Sequence, residues 1–399
     1  MDKEFQLYCL ADQLFYDSPS KGYSEAADFL ITRRPLPTGW HQSRQEEWVV
    51  CLPPASTAPR QGWKVHVSAC LDNAEDALGT VWEYCTSHRI SFKFLRSRLT
   101  LLICNSKYAL RGASSKLVTI YPVDDGHLET ILNDLSERLD GQPGPCILSD
   151  LRYGRAPLYV SVPHRASLPG FLRPHLAAKD AVSMAGRPYQ VERALHFSTG
   201  GGVYLAVDTR TGDTVVLKEA RSHAGLSADG ADAVARLQRE RDILRHLAGL
   251  AVVPGVRDSF GVGEHHFLAV DYIEGQSLNS FFAQRHPLTG HQPDPTRTAG
   301  YTALALGICE AVEAAVADVH DRGVVINGLD MSNIMVRSDD TVALTDFEVA
   351  AHSWEQLRPA IGNPGFLAPA GRSGTDADRY SLGCLRLAVF MPLTALFPV

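Results

Sequence analysis

The sequence predicts an α+β protein of two consecutive domains, and three features support that expectation. Up to residue 180, short apolar strands are interleaved with helical stretches. From residue 186 onward, apolar strands come first, in ALHF, VYLAV and TVVLK, with Gly200–Gly201–Gly202 between the first two. Long helical runs then follow, and the chain stops directly after an apolar stretch. The expected boundaries are 1–180 for an α+β domain and 186–399 for a second domain, an antiparallel β lobe followed by a truncated helical lobe.

Composition narrows the function classes. With 399 residues, 45% hydrophobic and 21% charged, the chain is long enough for ordinary soluble domains with real cores. A net charge of −7 from mixed signs gives no broad basic field, which argues against nucleic acid and anionic membranes as partners. The eight cysteines are scattered without a CxxC pair, and no signal sequence opens the chain. Reduced thiols in a cytoplasmic protein are the expectation. Residues 381–399 are apolar, but Arg386, Pro392 and Pro398 favour a buried core helix over a membrane span. Such a face needs a partner, so the chain is expected to be part of something longer.

In the first domain the strand candidates are Trp48–Leu52, Trp63–Cys70, Ser91–Leu95, Leu99–Cys104, Leu117–Pro122 and Leu158–Val162. Helices are expected at Ala74–Ser87 and His127–Leu139. Alternation puts Lys64 and His66 on one face of their strand and Val65 and Val67 on the other. Lys93 stands between Phe92 and Phe94. Lys107, Arg111 and Lys116 precede the next strand, and Arg152 and Arg155 lie in LSDLRYGR. Cations without matching carboxylates make a pocket for a dianion such as phosphate; taken singly, each is equally a solvated surface charge.

WKVHVSA, SFKF, KLVTIYP, ILSDLRYG and the opening YCLADQLFYDSP resemble the phosphothreonine-lyase-like domain that begins class III lanthipeptide synthetases, a domain related to that of class IV. The resemblance implies Lys93 as the base that removes an α-proton and His66 as the acid that protonates departing phosphate. It makes Lys64, Arg111, Lys116 and Arg152 the phosphate clamp, with Tyr121 near the reacting carbon. Such a base needs a lowered pKa, which crowding by cations and apolar walls provides. The second phosphate-binding Arg has no clear place between Arg155 and Arg165. Residues 163–185, rich in proline and small residues, read as a linker.

The second domain resembles the protein-kinase pattern. Gly200, Gly201 and Gly202 let backbone N–H groups approach nucleotide phosphates, and Lys218 follows in VVLK on the third strand. Glu240, on the same helical face as Ile243 and Leu247, points inward and can pair with Lys218; Glu219 is the alternative. Val270–Asp271–Tyr272 would line the base of ATP or GTP. Ile334–Val336 and Val342–Leu344 form strands joined by a polar turn. Asn333 before them and Asp346 after them occupy the two magnesium-ligand positions. PGFLAPA resembles the end of an activation segment, with Ala370 where Glu is usual, and Asp378 resembles the residue that ties the catalytic loop to a core helix.

One position departs. Gly328 stands where a catalytic Asp is expected, five residues before Asn333, with Asn327 at the Arg position. Three readings follow: Asp330 substitutes as base, no base is needed, or the domain is weakly active. Taken whole, the resemblance implies a bifunctional dehydratase of a ribosomal precursor peptide. It would use NTP and Mg2+, recognise an N-terminal leader, and work with a C-terminal cyclase-like domain. A plain Ser/Thr kinase and a pseudokinase scaffold are the competing expectations.

Overall fold

A computed structural model describes residues 28–54, 62–162, 168–180, 184–287, 294–355, 357, 361–369 and 371–391. The opening YCLADQLFYDSP, Cys9, Ala370, Pro392 and Pro398 lie outside the described residues.

The first sheet is seven-stranded: β1 (His41–Gln45), β2 (Trp48–Leu52), β3 (Lys64–Val67), β4 (Phe92–Leu95), β5 (Val118–Ile120), β6 (Leu151–Arg152) and β7 (Leu158–Ser161). Its order is β1-β2-β4-β5-β3-β7-β6 and every pairing is antiparallel. Alternation decides its two faces. Val65, Val67, Phe92, Phe94, Val118 and Ile120 are buried in one core with Leu78 and Val81 of α1 (Ala74–His88) and Ile131 and Leu135 of α3 (Asp125–Arg138). Helices therefore cover one face, and the alternate residues form the other.

Two expectations are corrected here. Leu99–Cys104 is a helix, α2 (Arg98–Cys104), not a strand. The short apolar run LTLLIC fits either period, and Ser97 decides it by capping the N-terminus, its hydroxyl accepting from the Thr100 N–H at 3.0 Å. The expected linker contains α4 (Arg173–Asp180), begun by a tight turn at Gly170–Leu172.

The second domain opens with a five-stranded antiparallel sheet of order β11-β12-β10-β9-β8. Its strands are β8 (Tyr189–Ser198), β9 (Gly201–Asp208), β10 (Thr214–Arg221), β11 (Val256–Val262) and β12 (His265–Asp271). Helix α5 (Ala233–His246) packs on this sheet, its N-terminus capped by Asp232, which accepts from the Ala235 N–H. The following lobe holds α6 (Leu278–Arg285), α7 (Pro295–Asp321) and α8 (Thr375–Phe390) around the hairpin of β13 (Ile334–Val336) and β14 (Val342–Leu344). Val312, Val316 and Val319 of α7 and Leu385 and Val389 of α8 share its core. Among the described residues no helix is long and apolar enough to cross a membrane.

Candidate active site

Register places the first site. Lys93 on β4 and His66 on β3 are both Cα partners of Thr119 on β5, the central strand between them. His66 is in turn opposite Tyr159, and Tyr159 opposite Arg152. Directly opposed residues share a face, so Lys93, Thr119, His66, Tyr159 and Arg152 form one row across the face opposite that core. Strand spacing sets the Lys93 and His66 backbones about 10 Å apart. Lys64 stands two residues from His66 on the same face.

His66 is 4% exposed, and its Nδ1 lies 2.5 Å from Asp150 Oδ2. Burial lowers the imidazole pKa and outweighs Asp150, which favours the charged form. Burial alone would raise Asp150, yet its hydrogen bonds with His66 and Ser149 leave the carboxyl below its ordinary value. Lys93 is also lowered, first by burial and then by Lys64 and Lys116. Its apolar wall is Trp48, whose ring centroid is 4.1 Å from Nζ. That corrects the expectation from sequence, because Phe92 and Phe94 point through the sheet into the core.

The idea of cations without carboxylates is corrected for Arg152, Arg155 and Lys107. Arg152 pairs with Glu264 of the second domain, and Arg155 is largely exposed, 4.0 Å from Asp140. Arg111 lies over the Phe197 ring at 4.7 Å, and Lys116 donates to the Gly112 carbonyl. Lys107 points away from the row altogether, onto Glu348. Tyr121 is part-buried, its phenol pKa raised by that burial. A cavity of about 570 Å³ between the domains is lined by Asp150, Arg152 and Tyr159 on one side and Glu264 and His265 on the other.

The second site lies between the lobes. Ser198 pairs with Gly201, so Thr199 and Gly200 make the turn between β8 and β9. Gly201 has φ +155°, and a Cβ there would collide with the Glu219 carbonyl. Lys218 on β10 is 2.5 Å from Glu240 of α5 and donates to the Thr345 carbonyl at 3.1 Å. Burial would lower Lys218, but Glu240 and Asp346 raise it above its ordinary value; burial also raises Glu240. Glu219 is occupied elsewhere, by His265 and Tyr204.

Glu240 also accepts from the Phe347 N–H at 3.1 Å, fixing the segment that carries Asp346. Asn333 and Asp346 sit at adjoining strand ends, joined by Thr345 N–H to the Asn333 carbonyl at 3.0 Å. The Asn333 amide nitrogen donates to Gly328 O, which orients the side chain. One amide and one carboxylate oxygen suit a hard divalent cation that takes its other ligands from phosphate and water. Among the described residues no group of three or more His, Cys, Asp or Glu is arranged for a metal.

A Cβ on Gly328 would meet Val349 Cγ2 at 2.8 Å, so an Asp at this position needs that side chain to move. Asp330 is 7% exposed; its Oδ1 accepts from the Ser332 N–H at 2.7 Å, the Ser332 hydroxyl and the Asn333 N–H at 3.2 Å. Asp378 is fully buried and accepts from the N–H groups of Ile326 and Asn327 at 2.8 Å each and from His320. It therefore ties the loop to α8.

Sequence reasoning missed Asp150, Thr119, Tyr159 and Trp48. Asp150 lies in the same LSDLRYG read for its arginine, and an acid among cations was the available signal. Glu348 and Arg236 were missed in the second site, where Arg236 Nε donates to Glu348 at 3.1 Å.

A lysine paired with a helix glutamate, a glycine turn, and Asn and Asp at two adjoining strand ends define a protein-kinase centre. The protein kinase domain family matches residues 189–397, more than half of the chain, and the chain belongs to that family. Residues 28–161 match the family described as RamC, N-terminal domain. The two matches, in this order, agree with the resemblance to class III lanthipeptide synthetases read from the sequence. The probable SapB synthase of Streptomyces coelicolor is 48% identical, over all of this chain and 47% of that protein. Kinase PknH of Mycobacterium bovis is 32% identical over 51% of this chain and 33% of its own length, and kinase PknB of Lactococcus lactis 25% over 53% and 32%. The chain thus spans about half the length of the synthase and about a third of these kinases.

Proposed function

We propose that the chain is the dehydratase portion of a lanthipeptide synthetase. Its kinase domain transfers phosphate from a nucleoside triphosphate with Mg2+ to Ser and Thr of a leader-bearing precursor peptide. Its first domain then eliminates that phosphate to leave dehydroalanine or dehydrobutyrine. The observation that carries this reading is the row holding Lys93 and His66, in a chain that also carries a kinase centre.

In this reading Lys93, its ammonium disfavoured by burial and by Lys64 and Lys116, takes the α-proton in its neutral form. The amine lone pair forms a new N–H bond as the Cα–H bond breaks; the Cα–H electron pair becomes the Cα=Cβ double bond, and the Cβ–O bond breaks with its pair leaving on the phosphate. His66, held by Asp150, gives its proton to the leaving phosphate, with Lys64 and Lys116 supplying positive charge and Tyr121 on the side of the reacting carbon; Arg111 and Arg152 would join the clamp on turning from Phe197 and Glu264. In the kinase centre Gly200, Gly201, Gly202 and Lys218 would hold the phosphates, Glu240 would position Lys218, and Asn333 and Asp346 would hold Mg2+, which neutralises charge on the transferred group when bound. Asp330 would take the hydroxyl proton through Oδ2.

Mass spectrometry of a Ser-rich precursor peptide treated with enzyme, Mg2+ and NTP tests the proposal. Loss of one water per modified residue is expected. A stable phosphate adduct would instead favour a plain Ser/Thr kinase, the reading supported by the kinase relatives, and an unchanged peptide would favour a scaffold.

A further inference from the structure

The kinase centre is gripped from outside its own domain. Residues 105–107, at the end of α2, lie against the β lobe: Leu226 N–H donates to the Asn105 carbonyl at 2.8 Å and Lys107 N–H to the Leu226 carbonyl at 3.1 Å. Thr199, at the tip of the glycine turn, donates its N–H to the Lys107 carbonyl at 3.1 Å and its hydroxyl to the Ser106 carbonyl. The Lys107 side chain, 14% exposed, crosses the cleft to Glu348 Oε1. The other Glu348 oxygen takes Arg236 of α5. The Glu348 N–H in turn donates to Asp346 Oδ1 at 3.3 Å.

The backbone of Lys107 thus fixes the jaw above the phosphate position, and its ammonium fixes the residue two places after the metal-ligand candidate. Glu348 is part-buried between the two cations, one on each carboxylate oxygen. Without Lys107 it keeps only Arg236, and the strap from α2 to the metal-binding segment is gone.

The geometry points to Lys107 as a positioning residue for phosphoryl transfer, supplied by the first domain and acting through Glu348 on Asp346. The kinase centre is then composite: it is complete only while the first domain is docked. This inference rests on the kinase reading above.

The test uses the whole chain with Lys107→Met, Lys107→Arg and Glu348→Gln. Loss of one charge-assisted pair predicts a kcat for peptide phosphorylation lower by about 10-fold or more in Lys107→Met and Glu348→Gln, with a smaller change in KM for nucleotide. Lys107→Arg, which still reaches a carboxylate, restores most of kcat. In nucleotide-free protein, amide exchange at Phe347 and Glu348 speeds up in the first two variants. Phosphate elimination from a synthetic phosphopeptide stays at the wild-type rate in Lys107→Met, which also reports that the first domain is folded. Unchanged kcat and unchanged exchange overturn the inference, and so does a rise in kcat, which would make Lys107 a plug. If Lys107→Met does not fold, Glu348→Gln decides. If wild-type protein transfers no phosphate, the functional reading fails and amide exchange alone decides the positioning role.

Discussion

Asp150→Asn is the sharpest probe of the elimination site. The carboxylate faces His66 Nδ1 at 2.5 Å with both side chains nearly inaccessible, 6% and 3% exposed, so solvent does little to screen the pair. A hydrogen bond to a charged partner contributes about 1.5–3 kcal/mol net. If the transition state uses that contact, its loss slows elimination by about 10- to 150-fold. The same free energy acting on the imidazolium is about 1–2 pKa units. The sign follows from the pair: the carboxylate stabilises protonated His66, so removing it lowers the His66 pKa, adding to the lowering by burial. If protonated His66 is the acid, the alkaline limb of the pH–rate profile moves to lower pH by about 1–2 units. Asn can also present its amide to Nδ1 and select the tautomer that leaves Nε2 protonated, which the pH profile separates from loss of charge. The assay is release of inorganic phosphate from a synthetic phosphoserine peptide, which bypasses the kinase step. An unchanged rate with an unchanged alkaline limb would refute the role given to the His66–Asp150 pair.

Further outcomes follow from the two centres. Asp346→Asn should abolish phosphorylation while leaving elimination from a phosphopeptide intact, and Lys93→Ala should do the reverse, so that phosphorylated peptide accumulates on mass spectra; either variant blocking both steps would sink the division of labour. Asp330→Asn keeps an oxygen to accept from the Ser332 and Asn333 N–H groups but removes the negative charge, so peptide phosphorylation should fall; unchanged turnover excludes Asp330 as the base. Asp378→Ala leaves the Ile326 and Asn327 N–H groups without their buried acceptor, which should cost about 2–5 kcal/mol of stability in denaturant or thermal unfolding. A loss under about 1 kcal/mol would show that water or a relaxed loop replaces the carboxylate.

Much of this was legible because it is local. Alternation in WKVHV put His66 on the right face, and the spacing of Lys218, Glu240, Asn333 and Asp346 along recognisable strands and helices brought the kinase centre together. The reading failed where the deciding partner is distant in sequence. Phe92 and Phe94 adjoin Lys93 in sequence, yet a period of two sends them to the opposite face, and the aromatic that does flank it, Trp48, comes from a neighbouring strand. The LTLLIC run is too short for its period to separate helix from strand, and Ser97 alone tips it. Lys107 precedes β5 in sequence together with Arg111 and Lys116, but its partner Glu348 is 241 residues away.

The contacts that seat the first domain on the β lobe differ in how tightly they bind the sequence. Leu226, Asn105, Ser106 and Thr199 meet largely through main-chain amides and carbonyls, which tolerate exchange of the side chains they carry. Lys107 with Glu348 and Arg152 with Glu264 meet through opposite charges and do not. Chimeras that join the first half of one relative to the second half of another should therefore assemble across divergent backbone contacts, but phosphorylate peptide at the native rate only when Lys107 and Glu348 travel together.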